Sequence, residues 1–298
     1  MKYLGSEENF LALAKVFSDF NNSKVVILQA PYEHSVSYGE GTAYGPSGIL
    51  DASAYVEFYD DEFDRELCNE IGIATAVPID FHDKVDEEAL DLLYRSVKDH
   101  LEENKFVVTL GGEHTISIAP IKAHFEKYPD MSILHFDAHS DLRKEYEGSK
   151  YSHASAFARV IDFFPPHKLT QVGIRAQCIE ESKLIKRESI NTFYASSIRR
   201  GVYGDNWQKF VVDSLSDEIY ISFDVDFFDP SIMPSTGTPE PDGFLYNETL
   251  EIFREIVRQE KQIIGFDVVE LAPVEGISHP DITTARLIYK MLNYAFAV

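Results

Sequence analysis

The sequence predicts an α/β fold: one three-layer domain in which helices cover both faces of a mainly parallel sheet of about eight strands. Three observations carry that expectation. Short β-branched runs alternate with longer amphipathic stretches along the 298 residues. Several of the short runs are apolar throughout, as strands buried on both faces should be. No linker rich in Pro, Gly or Ser, no internal repeat and no low-complexity tract divides the chain, so residues 1–298 are expected to form a single domain.

Taken in order, the expected strands are Val25–Leu28, Ile73–Val77, Phe106–Leu110, Ser132–Phe136, Gln171–Ile174, Asn191–Tyr194, Ile219–Phe223 and Ile263–Val268. Between the second and third, Asp86–Glu103 places Leu90, Leu93, Val97 and Leu101 at helical spacing with charges opposite. Leu250, Phe253, Ile256 and Val257 repeat that pattern before the last strand, and Ile282–Ala297 reads as a closing helix. The segment Pro31–Ser53, rich in Gly, Ser and Tyr, fits neither period and is expected to be a long functional loop.

Composition narrows the class of function. Hydrophobic residues make up 44% and charged residues 26%, the profile of a soluble globular protein. Asp and Glu number 50 against 27 Lys and Arg, a formal charge of −23. That field repels nucleic-acid backbones and anionic membranes and attracts cations, so neither nucleic acid nor membrane is an expected partner. Cys68 and Cys178 stand apart, with no CxxC pair, so neither a disulfide framework nor a thiolate zinc site is indicated. Residues 1–20 lack the basic start and continuous apolar core of a secretory signal, and no apolar run approaches the ~20 residues of a membrane helix. The expected location is the cytoplasm.

Chemistry gathers at strand ends. His135-Phe-Asp-Ala-His-Ser-Asp141 follows the fourth run, and in an extended chain Asp137, His139 and Asp141 share one face. Two carboxylates and an imidazole suit Mn, Fe or Zn. Ser222-Phe-Asp-Val-Asp-Phe-Phe-Asp-Pro230 follows the seventh run and offers Asp224 and Asp226; acids so close repel and take up protons unless a cation holds them. Gly111-Gly-Glu-His114 follows the third run, where two glycines permit a tight turn that aims His114 beyond the sheet. Each has a bland reading, since a lone strand-end Asp is more often a turn or helix cap. All three lie where ligands gather in open α/β sheets. Six possible ligands, His114, Asp137, His139, Asp141, Asp224 and Asp226, exceed what one small cation needs, and two metals fit better.

From about Gly39 to Ala285 the chain resembles the ureohydrolases, the family of arginase and agmatinase. The resemblance rests on GGEH (111–114), FDAHSD (136–141), SFDVDFFDP (222–230) and GFDVVE (265–270), in that order. It implies an arginase-like fold and two Mn²⁺ per chain. His114, Asp137, Asp141 and Asp224 would hold one ion; His139, Asp137, Asp224 and Asp226 would hold the other, with Asp137 and Asp224 bridging. It further implies that hydroxide between the ions attacks a guanidinium carbon, steadied by Asp141, to release urea. Glu270 matches the family acid that hydrogen-bonds the guanidinium, and His153 the family histidine beside the site, a proton shuttle or substrate contact. Read without the family, Glu270 is an ordinary surface acid and His153 an ordinary helix-start residue. A homotrimer or homohexamer is also implied.

Within the family, agmatine is the expected substrate, giving putrescine and urea. The loop Leu142–His153 carries Arg143 where arginases place an Asn, and after Arg175 come Ala176, Gln177 and Cys178 where arginases supply an Asp. The segments Gly39–Ile49 and Ser235–Asp242 are similar to those of agmatinases. Departures are Glu113 for the usual Asp, Asp242 for Gly, and Phe227-Phe228 for smaller residues that would floor the pocket. They leave room for guanidinobutyrate or arginine as substrate, with Arg143 or Lys144 as cationic partner. From other classes, a non-catalytic polyamine-binding relative or a single-zinc deacetylase would differ in metal count: none, or one.

Overall fold

The computed structural model describes residues 1–297. One eight-stranded sheet runs in the order β2-β1-β3-β8-β7-β4-β5-β6, every neighbouring pair parallel. The strands are β1 (Val25–Ala30), β2 (Ile73–Thr75), β3 (Phe106–Gly111), β4 (Ser132–Phe136), β5 (Leu169–Val172), β6 (Asn191–Phe193), β7 (Glu218–Asp224) and β8 (Gln262–Val269). Each expected run forms a strand; β4 keeps both expected ends and the others shift by one or two residues. β2 stops early because Ala76 leaves to form an antiparallel bridge with Tyr3. β5 ends at Val172 because Gly173 takes φ +97°, and a Cβ there would sit 2.4 Å from the Phe227 ring.

Helices cover both faces. Asp86–Glu102 and Ile118–Lys127 pack over the face that presents Val26, Val107, Ile133 and Tyr220. Tyr246–Arg258 and His279–Ala295 cover the other, against Ile27, Leu134, Phe136, Ile221 and Phe266. Leu90, Leu93, Val97 and Leu101 are buried as their spacing requires. Each fully buried Leu or Phe contributes roughly 1.5–3 kcal/mol, so the two apolar layers are the main source of stability. The segment Pro31–Ser53 departs from expectation: its second half folds into the helix Gly45–Ser53. Pro46 sits in the first turn, where its missing N–H costs nothing. Among the described residues no helix is long and apolar enough to cross a membrane.

The strand order decides where chemistry can occur. β3, β8, β7 and β4 are four consecutive central strands whose carboxyl ends open on one side of the sheet. Each carries one of the motifs singled out above.

Candidate active site

At the end of β4, Asp137 leaves the strand and His139 keeps an extended course through a parallel bridge to Ala176. The alternation then stops. Asp141 adopts φ +52°, so a left-handed turn, and not a continued strand, returns its carboxylate to the cluster. At the end of β7, Asp224 accepts the Asp226 N–H at 2.8 Å and caps the 3₁₀ turn Val225–Phe227. The capping role and the site role coexist, because one oxygen caps and the other faces His114. Gly111 and Gly112 serve close approach and not a left-handed turn: neither has positive φ, but a Cβ on Gly112 would meet Tyr32 O at 2.0 Å.

Six side chains meet there. His114 Nδ1 lies 3.0 Å from Asp141, 3.1 Å from Asp137 and 3.3 Å from Asp224. His139 Nδ1 lies 2.8 Å from Asp226 and 3.5 Å from Asp137. Two trios, His114–His135–Asp137 and Asp137–His139–Asp226, place their donor atoms close enough to hold an ion each. His135 is a poor ligand in the first trio, since its Nε2 donates to Asp137 at 2.7 Å and its Nδ1 accepts from Gln171 at 3.0 Å. It orients Asp137 instead.

Electrostatics sets the protonation of the cluster. Burial and then repulsion from Asp137 push the Asp141 carboxyl up to about 7. Asp224 is driven well above its ordinary range by burial, Asp226 and Asp137. Burial alone would keep His114 and His139 neutral, but the surrounding carboxylates outweigh it and raise both well above the usual imidazole value. Protein groups alone therefore hold extra protons at Asp141 and Asp224 and on both imidazoles, within a cluster of buried acids. His114 Nδ1 is buried without a well-formed hydrogen bond of its own. Four carboxylates and two imidazole nitrogens form a donor set that could hold divalent, borderline-hard cations.

A cleft of about 270 Å³ opens over the cluster, lined among others by Asp141, Asp224, Glu240 and Glu270, with Arg143, Tyr146 and His153 on one wall. Glu270 follows β8 with φ +66° and is buried, not a surface acid. One of its oxygens accepts the His114 N–H at 2.6 Å, and burial followed by repulsion from Glu113 raises its pKa well above normal. His153 begins a 3₁₀ turn, so its bland reading also holds; its Nε2 is 3.2 Å from Ser37 Oγ, and burial lowers its pKa. The Arg143 guanidinium lies over the Tyr146 ring at 5.0 Å, and Tyr146 meets His153 edge-on.

The departures from the family pattern fall into place. Glu113 is buried and accepts from the Ser35 hydroxyl and the backbone N–H groups of His34 and Ser35. Ser35 in turn accepts the His153 N–H at 2.9 Å, so Glu113 anchors the loop that seats His153. Phe227 and Phe228 do not floor the pocket. They pack into the core, Phe227 stacking on Phe244 at 4.8 Å. Asp242 has φ +65° and pairs with Arg199 at the surface, which accounts for glycine being usual there. Cys68 and Cys178 are free thiols.

Two positioning elements escape the motifs. Arg175 donates Nη2 to the carbonyls of Asp226 (2.7 Å) and Glu240 (3.0 Å) and Nε to that of Pro241 (3.0 Å), clamping one ligand turn to the cleft rim. The second is a row of polar residues in register across the sheet: Thr109, Asp267, Ser222, His135, Gln171 and Thr192. These six strands carry one polar residue apiece at the same level. Aligning strand ends would have exposed the row.

Known proteins share this fold and family. The arginase family model matches residues 23–296. Over 299 residues the chain is 35% identical to an N(1)-aminopropylagmatine ureohydrolase of Synechocystis, covering 98% of this chain and 95% of that protein. Over 280 residues it is 33% identical to an agmatinase of Bacillus subtilis, covering 93% of each. The crystal structure of an agmatine ureohydrolase of Thermoplasma volcanium superposes with a TM-score of 0.85 at 26% identity, covering 97% of this chain and 94% of that one. With the family model matching nearly the whole chain and full-length relatives above 30% identity, the chain belongs to the arginase family of ureohydrolases.

Proposed function

We propose that the chain hydrolyses agmatine, or a close amine-terminated guanidine, to urea and the corresponding amine with two Mn²⁺ ions. The observation that carries this reading is the convergence of six donor residues, four of them acids, at the floor of a cleft walled by further carboxylates. His114, Asp141, Asp137 and Asp224 would hold one ion, and His139, Asp226, Asp137 and Asp224 the other, with Asp137 and Asp224 shared. When bound, such a pair supplies hydroxide near neutral pH by lowering the pKa of water from 15.7 toward ~7. Coordination would also relieve the carboxylate repulsion described above.

The protein's own groups do the rest. Glu270 faces the cleft from beside the cluster and can hold a guanidinium by charge-assisted hydrogen bonds. Asp141 can accept the nucleophile's proton, and Asp141 or His153 can pass a proton to the departing amine. His153 suits that exchange because burial keeps it neutral and the Ser37 hydroxyl lies within reach. The acid lining favours a cationic tail and disfavours arginine or guanidinobutyrate, whose carboxylates would find only Arg143, already over the Tyr146 ring. A longer amine, aminopropylagmatine, is the second reading, supported by the 35% identity to the Synechocystis enzyme of that name.

Urea release by manganese-loaded protein from agmatine, aminopropylagmatine, arginine and guanidinobutyrate tests this, with metal content measured on the same sample. The expected result is urea from an amine-terminated guanidine and about two ions per chain. Urea from arginine alone would overturn the substrate, and absence of urea from all four would overturn the activity.

A further inference from the structure

Asp267 stands inside the GFDVVE motif but touches neither cleft nor donor cluster. It is fully buried, and three hydroxyls converge on it: Ser117 and Ser222 donate to Oδ1, and Tyr220 to Oδ2, each at 2.8 Å. Both serines lead to His114. Ser117 closes the 3₁₀ turn His114–Ser117 that carries it, and Ser222 Oγ lies 3.0 Å from His114 Nε2.

A register irregularity creates the contact. Between Ile219 and Tyr220 the pairing of β7 with β8 slips by one, from Ile219↔Ile263 to Tyr220↔Gly265, so Ser222 faces Asp267. Without the extra residue Ser222 would face Phe266, and the carboxylate would turn to the other side of the sheet.

The proton directions then follow. A carboxylate held by three hydroxyl donors is an acceptor only. Ser222 has one proton, and Asp267 takes it. Ser222 must therefore accept from His114, which keeps a hydrogen on Nε2 and leaves Nδ1, which faces Asp137, Asp141 and Asp224, as the nitrogen available to an ion.

We propose that Asp267 is a positioning residue which, through Ser222, fixes the His114 tautomer and so sets the affinity of the ion bound at His114. The inference rests on the two-ion reading above. An asparagine at 267 can offer its NH₂ to Ser222 and reverse the relay, turning Nδ1 from acceptor to donor.

The test is titration of chelator-treated protein with Mn²⁺, read by the electron paramagnetic resonance of free ion, with thermal unfolding on the same samples. Wild type should bind two ions. Asp267→Asn and Ser222→Ala should weaken one of them 10–100-fold and leave the other unchanged, with urea release returning as Mn²⁺ saturates. Ser117→Ala keeps the relay and should lose thermal stability without losing ion affinity. Wild-type affinity in Asp267→Asn or Ser222→Ala would overturn the proposal, as would equal weakening in Ser117→Ala. Fewer than two ions in wild type would instead overturn the two-ion reading.

Discussion

Replacing Arg175 by lysine keeps the charge and removes the fork. Arg175 donates three hydrogen bonds of 3.0 Å or less, to Asp226, Glu240 and Pro241 carbonyls, and longer ones to Gly173, Phe227 and Phe228. An ammonium on one stem cannot span carbonyls on both the ligand turn and the rim, so about two of the three short bonds are lost. At roughly 1.5–3 kcal/mol for a bond involving a charge, and with water replacing part of the loss at this half-buried site, the cost is about 2–4 kcal/mol. In a domain of this size that lowers Tm by roughly 3–6 °C. Function should suffer more than stability, because the freed turn carries Asp226. A misplacement of ~1 Å at the site costs on the order of 100-fold in turnover. Denaturant unfolding and urea release, each with and without saturating Mn²⁺, measure both terms. A lysine variant that unfolds at the wild-type midpoint and turns over normally would refute the clamp.

Asp224→Ala should abolish urea release and reduce bound metal below two ions per chain, because one oxygen of Asp224 caps the turn bearing Asp226 and the other faces His114. Near-normal turnover with two ions retained would remove Asp224 from the ligand set. Mn²⁺ binding should release protons, because Asp141 titrates near 7 and His114 and His139 stay protonated above the usual imidazole range in the protein alone. The sign follows directly. These raised groups hold protons that the ions displace, so apparent affinity falls as pH drops through about 7 and through the higher values of the two histidines. Calorimetric titration in buffers of different ionisation enthalpy reads the proton count, and a count of zero near neutrality would contradict the assignment.

Much of this arrangement is legible in the sequence for a simple reason. Strands buried on both faces must be apolar, so any polar residue at their ends stands out, and His114, Asp137, His139, Asp224 and Asp226 are such residues. Their shared position at strand ends predicts convergence before any distance is known. Asp141 is harder: it reaches the cluster through a left-handed turn, and strict alternation predicts the right outcome by the wrong path. Phe227 and Phe228 lie next to a site motif in sequence but point into the core, because the 3₁₀ turn after Asp224 breaks the extended alternation. Proximity along the chain is a poor guide once a turn intervenes.

What stays hidden is the support beneath the ligands. Arg175 acts on backbone carbonyls, which have no residue identity to read, so its role is invisible until the loops at 226–228 and 240–241 are placed in space. The polar row is hidden differently. Thr109, Asp267, Ser222, His135, Gln171 and Thr192 sit on six strands far apart in sequence, and only the sheet register makes them neighbours. His135 steers Asp137 from this row, and Ser222 contacts His114 from it. A buried polar residue needs a partner or it destabilises its strand. Four of the six, Gln171, His135, Asp267 and Ser222, are buried and hydrogen-bonded toward Asp137 or His114, and so work as support for the site, with the β7–β8 irregularity setting Ser222 opposite Asp267. Removing that irregularity would leave the proposed ligands in the sequence and take Asp267 away from Ser222, while His135 would still reach Asp137 from β4.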